Sequence, residues 1–308
     1  MENNIYDKVD SMQKALDCSI RDYETQNFSE KCGYVTSSKN GPYWNYMKNE
    51  VWKDYLENSM LPCHKEQYQN GDGGELSEKN SRYGMMPPKM ASYGSSSRFI
   101  YNLSKGVEGF CFEKQLPTCV GKRPANLDGF LHYDKCDIYV EAKCREIYGH
   151  SPFLKVSNVY EHVYEYIHKK NNCFVFEKMD SEKGHFKCSF TYNGILLKHF
   201  DIKQLICHFL AISTDMLENN NNTNIKFLYL IFNPNANTAF VHQCTEKYRQ
   251  KILDAYKETL EEINSLGDMK WLFDAIVSYQ CENLKLEPKE TSFEFHVVDQ
   301  NSYMSNLK

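Results

Sequence analysis

The chain has 308 residues, is 41% hydrophobic, 25% charged and 14% aromatic, and carries a formal net charge of −5. That is the composition of a globular protein with material for one large domain or two small ones, without the whole-molecule positive field that announces a nucleic-acid binder. No run approaches the roughly 18 apolar residues of a membrane span, and the first residues lack an apolar signal core, so no membrane partner and a cytoplasmic location are expected. The twelve cysteines are scattered singly, which favours reduced core residues over a disulfide framework.

Tyr6, Val9, Met12, Ala15, Leu16 and Ile20 recur at three-four spacing and predict a helix over 5–26. Tyr46, Val51, Trp52, Tyr55 and Leu56 predict a second over 43–61. Residues 66–96 are rich in Gly, Ser, Asn and Pro without periodicity and read as a long loop or linker. A short helix is expected over 95–109, capped by Ser96 or Ser97 and ended by Gly106 or Gly109.

The texture then changes. Residues 110–118, 125–133 and 137–144 are short runs rich in aromatic and β-branched residues, which predicts a β-meander. A helix over 157–171 and a hairpin over 173–192, turning at Glu182–Gly184, follow. Residues 200–218 form an amphipathic helix with Asp201 and Gln204 spaced as a capping box. Residues 225–234 are nearly continuously hydrophobic, as in a strand covered on both faces. Helices over 246–266 and from Met269 to Gln280, and a strand near Ser292–Val298, complete the chain. The order predicts an α/β fold with one central mixed β-sheet flanked by helices.

Two charged clusters interrupt the meander. Asp128 lies in one apolar run, and Glu141 and Lys143 lie two residues apart in the next, on one face of their strand. Buried carboxylates and ammonium groups need a partner or a metal. A hard divalent cation takes oxygen ligands, usually one or two carboxylates with water and phosphate. Asp128 and Glu141 would supply them, Glu113 on the preceding strand offers a third, and Lys143 would orient or activate an attacking water. The alternative is that Glu141 and Lys143 are the solvent face of a strand, or a cross-strand ion pair. Gln204 is either the capping partner of Asp201 or a site residue.

The pattern of Asp128 in "NLD" and Glu141 to Lys143 in "EAK", on adjacent strands after a helix, resembles the catalytic core of the PD-(D/E)XK nuclease superfamily. One restriction-endonuclease branch shows a similar "ANLD…EAK…E" run, whose last acid Glu146 fits. The superfamily also places a helix after this strand, in some members with a glutamine facing the site, and Gln204 is similar in type and order. The resemblance covers roughly residues 95–235. It implies a restriction-endonuclease-like core over 95–245, with a helical segment over 1–65, a linker over 66–94 and a helical extension over 246–308 packed on the core. It further implies an endonuclease dependent on Mg2+ (or Mn2+), with Asp128 and Glu141 as ligands and Lys143 positioning the water. Its partner would be nucleic acid, expected to be DNA; many such enzymes cut both strands as dimers, which leaves a homodimer open. Leu127 replaces the proline usual before the aspartate, and the helix at 95–105 lacks the glutamate many members carry, leaving Glu108 or Glu113 to stand in.

Two other function classes stay open. One is a nucleic-acid-binding module that keeps the fold without cleaving. The other is a two-carboxylate hydrolase such as a glycosidase, which leaves Lys143 unexplained. Cys63–His64, His162 with His168, and Cys207–His208 lack the paired spacing of a structural zinc site. No glycine-rich phosphate loop or nucleophile elbow is present.

Overall fold

The structure is a computed structural model that describes residues 9–28, 34–35, 46–71, 74–81, 84–121, 123–148, 153–219, 223–235, 240–287 and 291–307. Residues 5–8 and 43–45 of the first two predicted helices, and 220–222 of the asparagine tract, lie outside them.

A five-stranded mixed sheet forms the centre. Its strands are β1 (Cys111–Leu116), β2 (Ala125–Tyr133), β3 (Cys136–Lys143), β8 (Asn224–Ile231) and β9 (Phe293–Val298), in the spatial order β9-β8-β3-β2-β1. The meander β1–β2–β3 is antiparallel, whereas β8 runs parallel to both β3 and β9. β3 is central and pairs with β8 along its whole length, from Asn224↔Cys136 to Ile231↔Lys143. Every residue of β3 after Cys136 is accordingly buried, the charged Asp137, Glu141 and Lys143 included. On β2, by contrast, Ala125, Leu127, Gly129 and Leu131 are buried while Asn126, Asp128 and Phe130 are half-buried on the other face.

Among the described residues the α-helices longer than one turn are α1 (Met12–Phe28), α2 (Asn49–Asp54), α3 (Pro62–Asn70), α4 (Ser96–Ser104), α5 (Glu161–Lys170), α6 (Ile202–Glu218), α7 (Arg249–Ser265) and α8 (Lys270–Leu284). α4 covers the face of the sheet that carries Val140. A Cβ built on Gly129, which pairs with Val140, would stand 3.0 Å from Ile100 of α4 and 2.3 Å from Phe110. α6 covers the opposite face. Its cap is Asp201, whose carboxylate accepts from Gln204 N at 3.0 Å. α8 packs on α6 through Phe273 against Phe209 and through buried Gln280, which donates to Leu210 O at 2.6 Å.

Between β3 and α6 the chain inserts α5 and a second sheet. Its strands are β4 (Leu154–Ser157), β5 (Phe174–Glu182), β6 (His185–Tyr192) and β7 (Ile195–Leu196). β5 and β6 form the expected hairpin, with Gly184 at φ +80° in its turn.

Three expectations change. The described part of 66–94 is not a linker: α3 runs to Asn70, Lys79–Ser81 pairs antiparallel with Gly84–Met86, and Tyr68, Met90 and Tyr93 are completely buried. These buried side chains hold this segment to the core despite its glycine and serine content. The cap of α4 is Ser95, which accepts from Arg98 N, rather than Ser96 or Ser97. The C-terminal region is also more than a helical extension, because β9 supplies the fifth strand.

Candidate functional site

The β2–β3 ladder is paired from Tyr133↔Cys136 up to Gly129↔Val140 and stops there. One step further, the Asp128 side chain takes the place of a backbone acceptor: Ala142 N donates to Asp128 Oδ2 at 2.7 Å. β8 still holds β3 at this level, so β2 parts from β3 while β3 stays fixed. A cavity of about 360 Å³ opens here, lined by Asp128, Glu141, Lys143, Glu113, Asn126 and Gln204, with Ser95–Ser97 and Arg145 on its rim.

The solvent-face reading of Glu141 and Lys143 fails, since they are 2% and 7% exposed. Lys143 Nζ donates to Glu141 Oε1 at 2.6 Å and to Gln204 Oε1 at 2.7 Å. Gln204 therefore does not complete a capping box. Its backbone uses the cap and its side chain goes to Lys143. His208, one turn further along α6, brings Nε2 to 3.0 Å from Glu141 Oε2. The contact is close, but neither atom makes an aligned hydrogen bond.

These neighbours set the protonation states. Burial works to raise the Glu141 carboxyl, but the Lys143 ammonium and then His208 outweigh it and hold it at about 2. Burial works to lower Lys143, and the Glu141 carboxylate foremost holds it well above its ordinary value. Lys143 is thus a cation that donates, not a base. Asp128 goes the other way: burial first, then Glu141 and Glu113, push its carboxyl well above the usual range.

Glu113 sits between the β1–β2 pairs Phe112↔Gly129 and Lys114↔Leu127, which places it opposite Asp128. Its φ is +53°, a left-handed conformation that costs a non-glycine residue roughly 1–2 kcal/mol. The side chain is 9% exposed and lies against Gly71 at the end of α3, where an added Cβ would stand 2.7 Å from Glu113 Cβ. Glu146, also on the cavity wall, accepts from Cys144 N at 2.9 Å. Arg145 reaches back to buried Asp17 of α1 at 3.3 Å.

The structure therefore brings together Glu113, Asp128, Glu141, Lys143, Gln204 and Glu146, all picked out in the sequence. It adds His208, Arg145, Asn126, Glu75 and Lys89. His208 had a signal, its i, i+4 spacing from Gln204. Glu75 and Lys89 had none, because they lie in the stretch without periodicity.

Five carboxylates (Glu75, Glu113, Asp128, Glu141, Glu146) face three cations (Lys89, Lys143, Arg145) across the cavity. The donor set, all oxygen and in excess negative charge, fits a hard divalent cation in its chemistry. Buried Asn126 Oδ1 and Glu75 Oε2 further lack a hydrogen-bond partner. Among the described residues, however, no three His, Cys, Asp or Glu side chains are gathered closely enough to hold a metal ion, and the Glu141 carboxylate is turned to Lys143 and His208. No helix among them is long and apolar enough to cross a membrane. The fold and site define an α/β protein with a carboxylate–lysine cavity where two central strands part. Compared with protein-family models, curated proteins and solved structures, the chain matches none.

Proposed function

We propose that the chain is a metal-dependent nuclease that hydrolyses phosphodiester bonds, with DNA as its substrate. The observation that carries this reading is the buried ammonium of Lys143, fixed by Glu141 and Gln204 beside Asp128 in an open cavity. The element order also supports it: α4, the antiparallel meander and, after the inserted α5 and second sheet, α6 and a parallel strand are what a core of the kind suggested by the "NLD" and "EAK" residues would contain.

Asp128 and Glu141, with Glu113, are the carboxylates that would hold Mg2+ or Mn2+ once drawn together around the ion, which would polarise the phosphate and acidify a water. The excess of carboxylates would otherwise repel a phosphodiester. Lys143, kept cationic, would donate its one remaining hydrogen bond to the attacking water, and its charge would stabilise the negative charge that grows on phosphorus-bound oxygen. Gln204 fixes the direction of the ammonium, and His208 would steady the Glu141 carboxylate through its close contact.

One observation favours a second reading. The opposite displacements of Asp128 and Glu141 are what a two-carboxylate hydrolase such as a glycosidase uses for its acid and its base. Cleavage of plasmid, single-stranded DNA and RNA with Mg2+, with Mn2+ and with EDTA separates the readings. Metal-dependent cutting that disappears in Lys143→Ala and Asp128→Ala, both folded by circular dichroism, is the expected result. Binding of nucleic acid without cutting in any metal would leave a binding module, and metal-independent hydrolysis of a glycoside would favour the second reading.

A further inference from the structure

The inserted sheet carries a feature that the cavity does not use. In the antiparallel pair of β4 and β6, Lys187 stands directly opposite Lys155. Directly opposed side chains have Cβ atoms roughly 4.5–5.5 Å apart, and like charges there are destabilising. The next pair, Phe186↔Val156, is buried, so the two exposed lysines share the outer face of the sheet. A third ammonium joins them: Lys203 Nζ donates to the carbonyl oxygen of Lys155 at 3.4 Å. The neighbouring Lys178 and Lys198 are neutralised by Glu161 and Glu258, whereas among the described residues no carboxylate lies within ion-pair distance of Lys187 or Lys203. Asp201, the acid nearest Lys203 in the chain, turns its carboxylate to Gln204 N.

Position links this face to the site. Lys203 is in the first turn of α6, one residue before Gln204, whose side chain holds Lys143. On a molecule of net charge −5, a local cluster of cations decides where a polyanion approaches.

We propose that the outer face of the inserted sheet docks the sugar-phosphate backbone of a nucleic acid, with Lys155, Lys187 and Lys203 contacting phosphates beside the segment held at the cavity. The proposal rests on the nuclease reading for its substrate class, and its test is separable from it. Binding of a short fluorescein-labelled DNA duplex is followed by anisotropy in Ca2+ over a salt series, for the wild type, for Lys187→Gln and for Lys155→Gln/Lys187→Gln/Lys203→Gln. Matched single-stranded DNA, RNA and heparin form parallel arms.

The slope of log K against log salt is expected to become shallower by about 0.9 in the single variant and about 2.7 in the triple, with duplex affinity at about 0.1 M salt falling roughly 100-fold in the triple. Unchanged slope and affinity in variants with wild-type melting temperatures would overturn the proposal, as would binding confined to heparin. Loss of binding in the triple variant, in a protein that cuts nothing, would support the docking face while sinking catalysis. The same slope change confined to RNA would keep the face and change the nucleic acid.

Discussion

Gln204 accepts a hydrogen bond from Lys143 Nζ at 2.7 Å, so an amide on helix α6 holds in place an ammonium on central strand β3. With Glu141 at 2.6 Å, two of the three donor positions of Lys143 are used inside the protein, and the cavity receives the third.

Removing that donor has a defined consequence. Lys143→Met keeps the aliphatic stem and is expected to lower cleavage by roughly 10²–10³-fold, the usual loss for one preorganised donor to developing charge. Gln204→Met leaves the ammonium but frees its direction, and a smaller loss of about 10–100-fold is expected, in kcat rather than KM. Steady-state kinetics on one labelled substrate checks both. An equal loss in the two variants would mean that Gln204 acts on the substrate itself.

His208 Nε2 stands 3.0 Å from Glu141 Oε2, the oxygen that Lys143 leaves free, and we expect it to steady that carboxylate. His208→Ala should raise the Mg2+ or Mn2+ concentration needed for half-maximal cleavage by about 10–100-fold, because partners of metal ligands carry that much affinity. Calorimetric titration of Mn2+ into the variant measures the same change without turnover. An unchanged metal dependence would reduce His208 to a packing residue.

Glu113 trades backbone strain for its place opposite Asp128. Glu113→Gly removes the left-handed penalty and one of the charges repelling Asp128, and is expected to gain about 1 kcal/mol of stability while losing activity. Gly71→Ala does the reverse: its methyl would meet Glu113 Cβ at 2.7 Å, so stability falls by about 1–3 kcal/mol and activity falls with it. Urea unfolding with parallel assays tests the pair.

The two displaced carboxyls give opposite pH dependences. Glu141, held at about 2 against an ordinary 4.5, stabilises the fold above about pH 4.5, and that stability is lost as pH falls toward 2. The displacement corresponds to roughly 3 kcal/mol at neutral pH. Glu141→Gln/Lys143→Met should therefore show a shallower acid loss of stability than the wild type over that window. Asp128, raised, favours the fold at acid pH, and its contribution fades as pH rises through its folded value. Asp128→Asn keeps an acceptor for Ala142 N and should be more stable than the wild type at pH 7, though inactive. Denaturant midpoints at several pH values decide both.

Much of this was legible in the residue order. Richness in aromatic and β-branched residues marked β2 and β3, the nearly continuous hydrophobic run at 225–234 marked a strand covered on both faces, and Asp201 marked the start of α6. Asp128, Glu141 and Lys143 stood out because charged residues inside apolar runs demand an explanation. Such signals are local, set by side-chain period and by the cost of burying charge.

Only the tertiary structure decided the rest. Whether Glu141 and Lys143 faced water depended on whether β8 and α6 covered β3, and the alternation along one strand is the same in either case. The role of Gln204 turned on a side chain 61 residues away in sequence, and local spacing favoured the cap as readily as the site. The segment 66–94 folded onto the core through Tyr68, Met90 and Tyr93, isolated anchors that no periodicity reveals. Patterns repeat along the chain, but contacts between distant residues form only once the sheet and its covering helices are in place.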